Sequence, residues 1–179
     1  MRIVIALAGI GAILSALPAV AQDFTLTSRS IAEGAQLSND QVFKGFGCEG
    51  GNTSPQLAWI NPPEGTKSFA VTAYDPDAPT GSGWWHWNVV DIPASVSELP
   101  SGVSGSMDNG ATELANDFGV KGFGGACPPA GEVHRYIFTV HALGVETLDL
   151  PAHASNALAG YMINANSIGT AHITTIYTR

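Results

Sequence analysis

Ser68-Phe69-Ala70-Val71-Thr72-Ala73-Tyr74 runs straight into Asp75-Pro76-Asp77-Ala78-Pro79, and Trp84-Trp85-His86-Trp87 follows shortly after. The first seven residues are apolar on both alternating faces, which predicts a strand buried in the middle of a sheet. Thr80-Gly81-Ser82-Gly83 is a turn, so Trp85 to Ile92 is expected to return beside it, closed by Pro93. Between these strands stand two carboxylates, three indoles and an imidazole, on backbone stiffened by prolines. Only 12% of the residues are charged, so such a gathering points to a pocket.

Further strands are expected at Phe24 to Ser28, Gln56 to Trp59, Arg135 to Leu143 and Thr170 to Thr178. Ser155 to Asn164 is expected to form a helix, capped by Ser155, with Leu158, Tyr161 and Met162 on one face. Ser101 to Gly125 is rich in Gly, Asn and Ser and shows no period, so it is expected as a long loop at the surface or beside the site. The tally predicts a mainly β protein of two sheets with one or two short helices. The 179 residues are 45% hydrophobic, which excludes a disordered chain.

Met1-Arg2, the apolar run from Ile3 to Leu17, and Ala19-Val20-Ala21 together match a secretory signal. Residues 1–21 are therefore expected to be removed between Ala21 and Gln22. One domain would remain over 22–179, periplasmic or secreted. Losing residues 1–21 takes away Arg2 and no acidic group, leaving six basic against fifteen acidic side chains. That balance opposes a nucleic-acid partner and adhesion to anionic membranes. The two cysteines, Cys48 and Cys127, read as a disulfide in an exported protein; two buried thiols are the alternative. A bridge would close a long loop and stabilise by about 4 kcal/mol in the chain-entropy view.

Asp75 and Asp77 are candidate pocket groups, aimed to one side if strand geometry persists. Close carboxylates can share a proton and serve as acid and base. Asp-Pro-Asp is equally the mark of a turn in which each carboxylate bonds nearby backbone N–H groups. His86 is expected within reach of Asp75 or Asp77, which would fix its tautomer; a core histidine bonded to a carbonyl is the plainer reading. Trp84, Trp85 and Trp87 serve as core and pocket wall. In Pro128-Pro129-Ala130-Gly131-Glu132-Val133-His134-Arg135-Tyr136, alternation puts His134 and Tyr136 on one face and Arg135 on the other, where a structural salt bridge suits it. His141, His153 and His172 receive no role. No His-x-x-x-His or Cys-x-x-Cys pair occurs, so no metal or other cofactor is expected. No Gly-x-Ser-x-Gly occurs either, which opposes a serine hydrolase.

At these motifs the chain resembles the phosphatidylethanolamine-binding protein family, also called Raf-kinase-inhibitor-like proteins, and in particular its bacterial exported branch. The resemblance is carried by Asn52-Thr53-Ser54-Pro55-Gln56-Leu57-Ala58-Trp59, by Asp75 to Pro79 with His86-Trp87, and by Cys127-Pro128-Pro129 through His134-Arg135-Tyr136. It covers nearly all of residues 22–179. It implies a large central β-sheet, a smaller sheet packed on it, and short helices. It also implies a pocket for phosphate-like groups, acetate or phosphoethanolamine-type head groups, lined by Asp75, Pro79, His86, Cys127 (through its backbone), Pro128, His134 and Tyr136. Asp77 belongs to the same motif as a brace. Eukaryotic members carry an extra C-terminal helix near the pocket; here the last expected strand ends at Thr178, and an open pocket without that lid is expected.

The expectation is thus an exported, non-catalytic binding protein for a small anion or phosphorylated head group. Two rivals stand beside it. One is an inhibitor or signalling modulator of another protein, of the protease- or kinase-inhibitor kind, acting through the Ser101 to Gly125 loop. The other is a weak acid/base hydrolase using Asp75 and His86. A homodimer is a further expectation from the resemblance alone.

Overall fold

The computed structural model describes residues 22–179, so the expected signal segment 1–21 lies outside the described residues. Ten strands and one α-helix follow in order: β1 Thr25–Thr27, β2 Lys44–Gly45, β3 Cys48–Glu49, β4 Leu57–Ile60, β5 Ser68–Asp75, β6 Trp84–Pro93, β7 Glu98–Leu99, β8 Thr112–Glu113, β9 Val133–Leu143, α1 Asn156–Asn166 and β10 Ser167–Thr178. The main sheet is antiparallel with strand order β10-β9-β5-β6-β8. β5 is therefore central, as its two apolar faces require. β1, β4 and β7 form the smaller sheet, and β2 and β3 a separate hairpin. The fold is mainly β with a large sheet, a smaller one and one short helix, as expected.

The core fills the space between the two sheets. Leu57 and Trp59 of β4 meet Phe69 and Val71 of β5, Trp87 and Val89 of β6, and Phe138 and Val140 of β9. Burying each of these large side chains stabilises by roughly 1.5–3 kcal/mol. The other face of the main sheet holds Ala70, Val90 and Leu143 against Ile163 of α1. Helix α1 is capped as predicted, with Ser155 Oγ accepting the Leu158 N–H at 3.2 Å. Its inward face differs from the expectation. Ala159 and Ile163 are buried, while Leu158 and Tyr161 face outward, Tyr161 being 69% exposed. The sheet beneath offers shallow Ala70 and Val90, and a small Ala fits that gap better than Leu or Tyr.

The segment from Ser101 to Gly125 is not a free surface loop. Glu113 accepts from Trp87 Nε1, Ser104 Oγ and Gly105 N. Phe123 is buried in the core and Asn116 ties the segment to itself through Gly122 and Phe118. The stretch is anchored to the core and lies beside the site, supplying Phe118 to the cavity wall, while Asp108 and Val120 among others stay exposed at the surface.

Candidate functional site

The site forms where the apolar core runs out, at the end of the main sheet that holds the exit of β5 and the entries of β6 and β9. The odd residues of β5 point toward the smaller sheet: Phe69, Val71 and Ala73 enter the core, and Asp75 continues the row. On β9, Phe138 and Val140 continue outward as Tyr136 and His134. A cavity of about 220 Å³ opens there, lined by Asp75, Pro79, Trp84, His86, Phe118, Cys127, Pro128, His134 and Tyr136, with Phe46 at its edge. No lysine or arginine lines it.

His86 reaches this cavity through a break in strand register. Ala73 pairs with Trp87, but Tyr74 pairs with Trp85, so His86 is an extra residue opposite no partner. Such a bulge lets two successive side chains share a face. Trp87 thereby fills the core while His86 turns into the pocket. The His86 Nδ1–H donates to the Gly124 carbonyl at 2.7 Å, and the Gly124 N–H returns a bond to the His86 carbonyl. A Cβ at Gly124 would run into the Phe118 ring, so any larger residue there has to push that pocket ring aside. Burial pushes the His86 pKa down, against the pull of the Gly124 carbonyl, so the neutral ring presents its Nε2 lone pair. Its expected contact with Asp75 or Asp77 is corrected by this bond.

Asp75 is 3% exposed and fully engaged. Oδ1 accepts the N–H groups of Asp77 at 2.8 Å and Ala78 at 3.0 Å. Oδ2 accepts Nδ1–H of His134 at 2.8 Å. The turn reading of Asp-Pro-Asp holds for Asp75, whose one oxygen fixes the turn while the other holds an imidazole of the cavity wall. The far nitrogen of His134, Nε2, meets Glu132 Oε2 at 3.0 Å. Burial opposes a charge on His134, but the bonds to Glu132 and Asp75 outweigh it and raise its pKa.

Asp77 turns the other way. Its carboxylate takes Arg135 Nη2 at 2.7 Å and Arg135 Nε at 2.9 Å, and the Arg135 backbone N–H as well. That fork lowers its pKa to about 2. Asp77 does not line the cavity, and the expectation that both carboxylates face one side is corrected. The Pro76 bend between them ends strand geometry, so alternation no longer applies. Asp77 and Arg135 clamp the turn onto β9 from outside, which holds Asp75 against His134 within.

Tyr136 is 2% exposed and its hydroxyl has no hydrogen-bond partner among the described residues. Burial and the Asp75 charge raise its pKa, so it stays a donor. Its ring packs edge-on against His86 with centroids 5.1 Å apart. Trp84 Nε1 is likewise buried without a partner. Among the described residues no group of three or more His, Cys, Asp or Glu side chains is placed to hold a metal ion.

The cavity wall is stapled. Cys48 and Cys127 form a disulfide with Cα atoms 6.0 Å apart, joining the β2–β3 hairpin to the Cys127-Pro128-Pro129 wall. Arg179 adds a second tie, donating to the carbonyls of Pro128 and Gly47. The hairpin tip is Phe46-Gly47, both with positive φ (52° and 80°), which a two-residue turn of this hand requires. Phe46 is 71% exposed and stands beside Phe43 and Phe118. Phe46, Phe118 and Glu132 are site residues that pattern reading missed. The available signals were weak: lone aromatics among glycines, and an acid two residues before a strand histidine.

Residues 27–178 match the family described as phosphatidylethanolamine-binding protein. The Escherichia coli protein YbcL is 57% identical over 164 residues, 89% of this chain and 90% of its own. Its crystal structure, titled as a new member of the mammalian PEBP family, superposes with a TM-score of 0.85 over 88% of this chain and 99% of that one. YbhB of Escherichia coli is 49% identical over 85% of this chain and 98% of its own. A Mycobacterium tuberculosis protein named putative lipoprotein LppC is 34% identical over 86% of this chain and 71% of its own. With this likeness along nearly the whole described chain, the protein belongs to the phosphatidylethanolamine-binding protein family.

Proposed function

We propose that the protein is an exported, non-catalytic binder of a small anion or a phosphorylated head group. The observation that carries this reading is a buried imidazole held by Asp75, beside a buried Tyr136 hydroxyl with no partner of its own, in one cavity. The raised pKa of His134 favours the imidazolium, and the Tyr136 O–H supplies a neutral donor. A phosphate oxygen is the acceptor such donors suit. The Cys127 sulfur is committed to its disulfide, so the cavity offers no free thiol nucleophile. Pro79 and Pro128 line the same wall with no N–H of their own and fix its shape. Export is supported by the disulfide, by the signal-like residues 1–21 and by the name of the mycobacterial relative.

The test is titration calorimetry with dimethyl phosphate at pH 5.5 and pH 8. A diester keeps one charge across that range, so any change belongs to the protein. Binding is expected at pH 5.5 and weaker at pH 8, as His134 loses its proton. Equal affinity at both values would remove the imidazolium from the site. The absence of binding at either would overturn the reading.

A further inference from the structure

Glu132 sits one residue before β9 and reaches the outer nitrogen of His134, with Oε2 and Nε2 3.0 Å apart. Period-two geometry puts residues 132 and 134 on one face, which makes the contact local. The two carboxylates on this imidazole differ sharply. The Asp75 side chain is 4% exposed and holds the turn as well as the ring. The Glu132 side chain is 53% exposed and makes no other side-chain hydrogen bond among the described residues. Its backbone is fixed by the Glu132 N–H to Pro129 carbonyl bond at 3.1 Å, so the side chain alone is free to swing into solvent.

An imidazolium has two N–H groups. Here Nδ1–H goes to Asp75 and Nε2–H to Glu132. Neither is left for a ligand. Tyr136 OH remains, and neutral His86 offers an acceptor rather than a donor. Two ionised carboxylates beside one imidazolium also leave the local charge negative, with no lysine or arginine in the lining to offset it. An incoming anion therefore meets a site whose best donor is taken by an anion of the chain itself. His134 lines the cavity and Glu132 does not, so the contact lies at the cavity margin, where an exchange needs only a side-chain rotation.

We propose that Glu132 is an internal anion that occupies the ligand's place on His134, and that a phosphate-type ligand binds by displacing it. The inference rests on the anion reading above. It makes Glu132 an affinity-setting residue, one that every anionic ligand has to displace. A simple carboxylate such as acetate exchanges like for like and gains little. A phosphate group offers further oxygens, so it can take the freed Nε2–H and the Tyr136 O–H together. The site thereby discriminates by the number of acceptors a ligand brings, and not by charge alone.

The experiment compares the full chain with Glu132→Ala and Glu132→Gln, titrated with dimethyl phosphate and with acetate at pH 5.5. NMR titration of the His134 ring is run on the same proteins. Glu132 is exposed, so the variants retain the fold. Glu132→Ala is expected to bind dimethyl phosphate on the order of tenfold more tightly, the scale of one charge-assisted hydrogen bond no longer contested. Glu132→Gln, whose amide oxygen still reaches Nε2, falls between. Acetate binding should gain by a similar factor, since both ligands are relieved of the same displacement, and the ratio of the two affinities should stay as it is. The His134 pKa should fall in Glu132→Ala. Equal or weaker phosphate binding in Glu132→Ala, with the His134 pKa lowered, would overturn the displacement and leave the anion site standing. An unchanged His134 pKa would overturn the contact itself. No phosphate binding by any of the three proteins would overturn the anion reading and this inference with it.

Discussion

Asp75–His134 and Asp77–Arg135 join the same two segments, two residues apart on one side and one residue apart on the other, yet they live in different media. The first pair has side chains 4% and 3% exposed. The second has 29% and 56%. Both are short, at 2.8 and 2.7 Å. What separates them is the consequence of breaking them. A buried pair that loses one partner leaves a charge or polar group without water. A surface pair that loses one partner is rehydrated, and its net worth is small. The inner pair faces the cavity, and the outer pair ties the same turn to β9 from the solvent side. Proline between two aspartates is what sends them to opposite sides.

The largest effect should come from removing the inner carboxylate. Asp75→Ala strips two backbone N–H groups and the His134 ring of their acceptor at once. It is expected to destabilise by about 3–5 kcal/mol, read from urea denaturation midpoints. Asp77→Ala removes an exposed fork and should cost far less, with a change in dimethyl phosphate affinity below about twofold. The comparison breaks if the two variants unfold at the same urea concentration.

Next in size is the loss of the ring. His134→Gln keeps the volume and can still donate, but it cannot carry charge. Dimethyl phosphate affinity at pH 5.5 is expected to fall on the order of thirtyfold, the upper part of what one ionic hydrogen bond contributes. Arg135→Gln, on the same strand and facing out, should leave affinity within about threefold. An equal loss in both would mean that long-range charge, and not contact, draws the anion.

The sequence pattern carried much of this arrangement. The central place of β5, the return of β6, the facing of His134 and Tyr136, and the outward Arg135 all follow from alternation over unbroken strands. It failed where the strands are not regular. His86 and Trp87 share a face only because Tyr74 skips a partner, and nothing in Trp84-Trp85-His86-Trp87 marks which residue is extra. Asp77 was misplaced because a proline bend is not a strand. Phe118 and Gly124 come from a segment without period, and they reach the pocket through tertiary contacts that no local pattern encodes. The inward face of α1 was misread for a related reason: its moment is weak, and the shape of the sheet beneath, not side-chain size, chose Ala159 and Ile163.

The smallest effect is the most discriminating, because it compares two histidines of one strand. His134 and His141 are both buried on β9, and they lie on opposite faces of the sheet. His134 meets two carboxylates, whereas among the described residues His141 meets only the Thr72 hydroxyl, at 3.2 Å. Burial alone lowers the His141 pKa to about 4. The unfolded chain thus binds more protons at this site between pH 6.5 and 4, and stability falls as pH drops through that window. His86, also depressed, adds to the same acid limb. His134 has the opposite sign. Its raised pKa gives stability that is full below pH 6.5 and is lost as pH rises toward the folded value. Stability should therefore peak near pH 6.5. The acid limb should amount to about 1 kcal/mol at pH 5.5 from His141, by linkage. The alkaline limb should be shallower, since part of the Glu132 contribution is screened by solvent. Denaturation midpoints at pH 5.5, 6.5 and 8 measure both limbs. In His134→Gln the alkaline limb should vanish while the acid limb stays. Were it to persist unchanged, the inner pair would not be ionic, and the difference between the two pairs would reduce to burial alone.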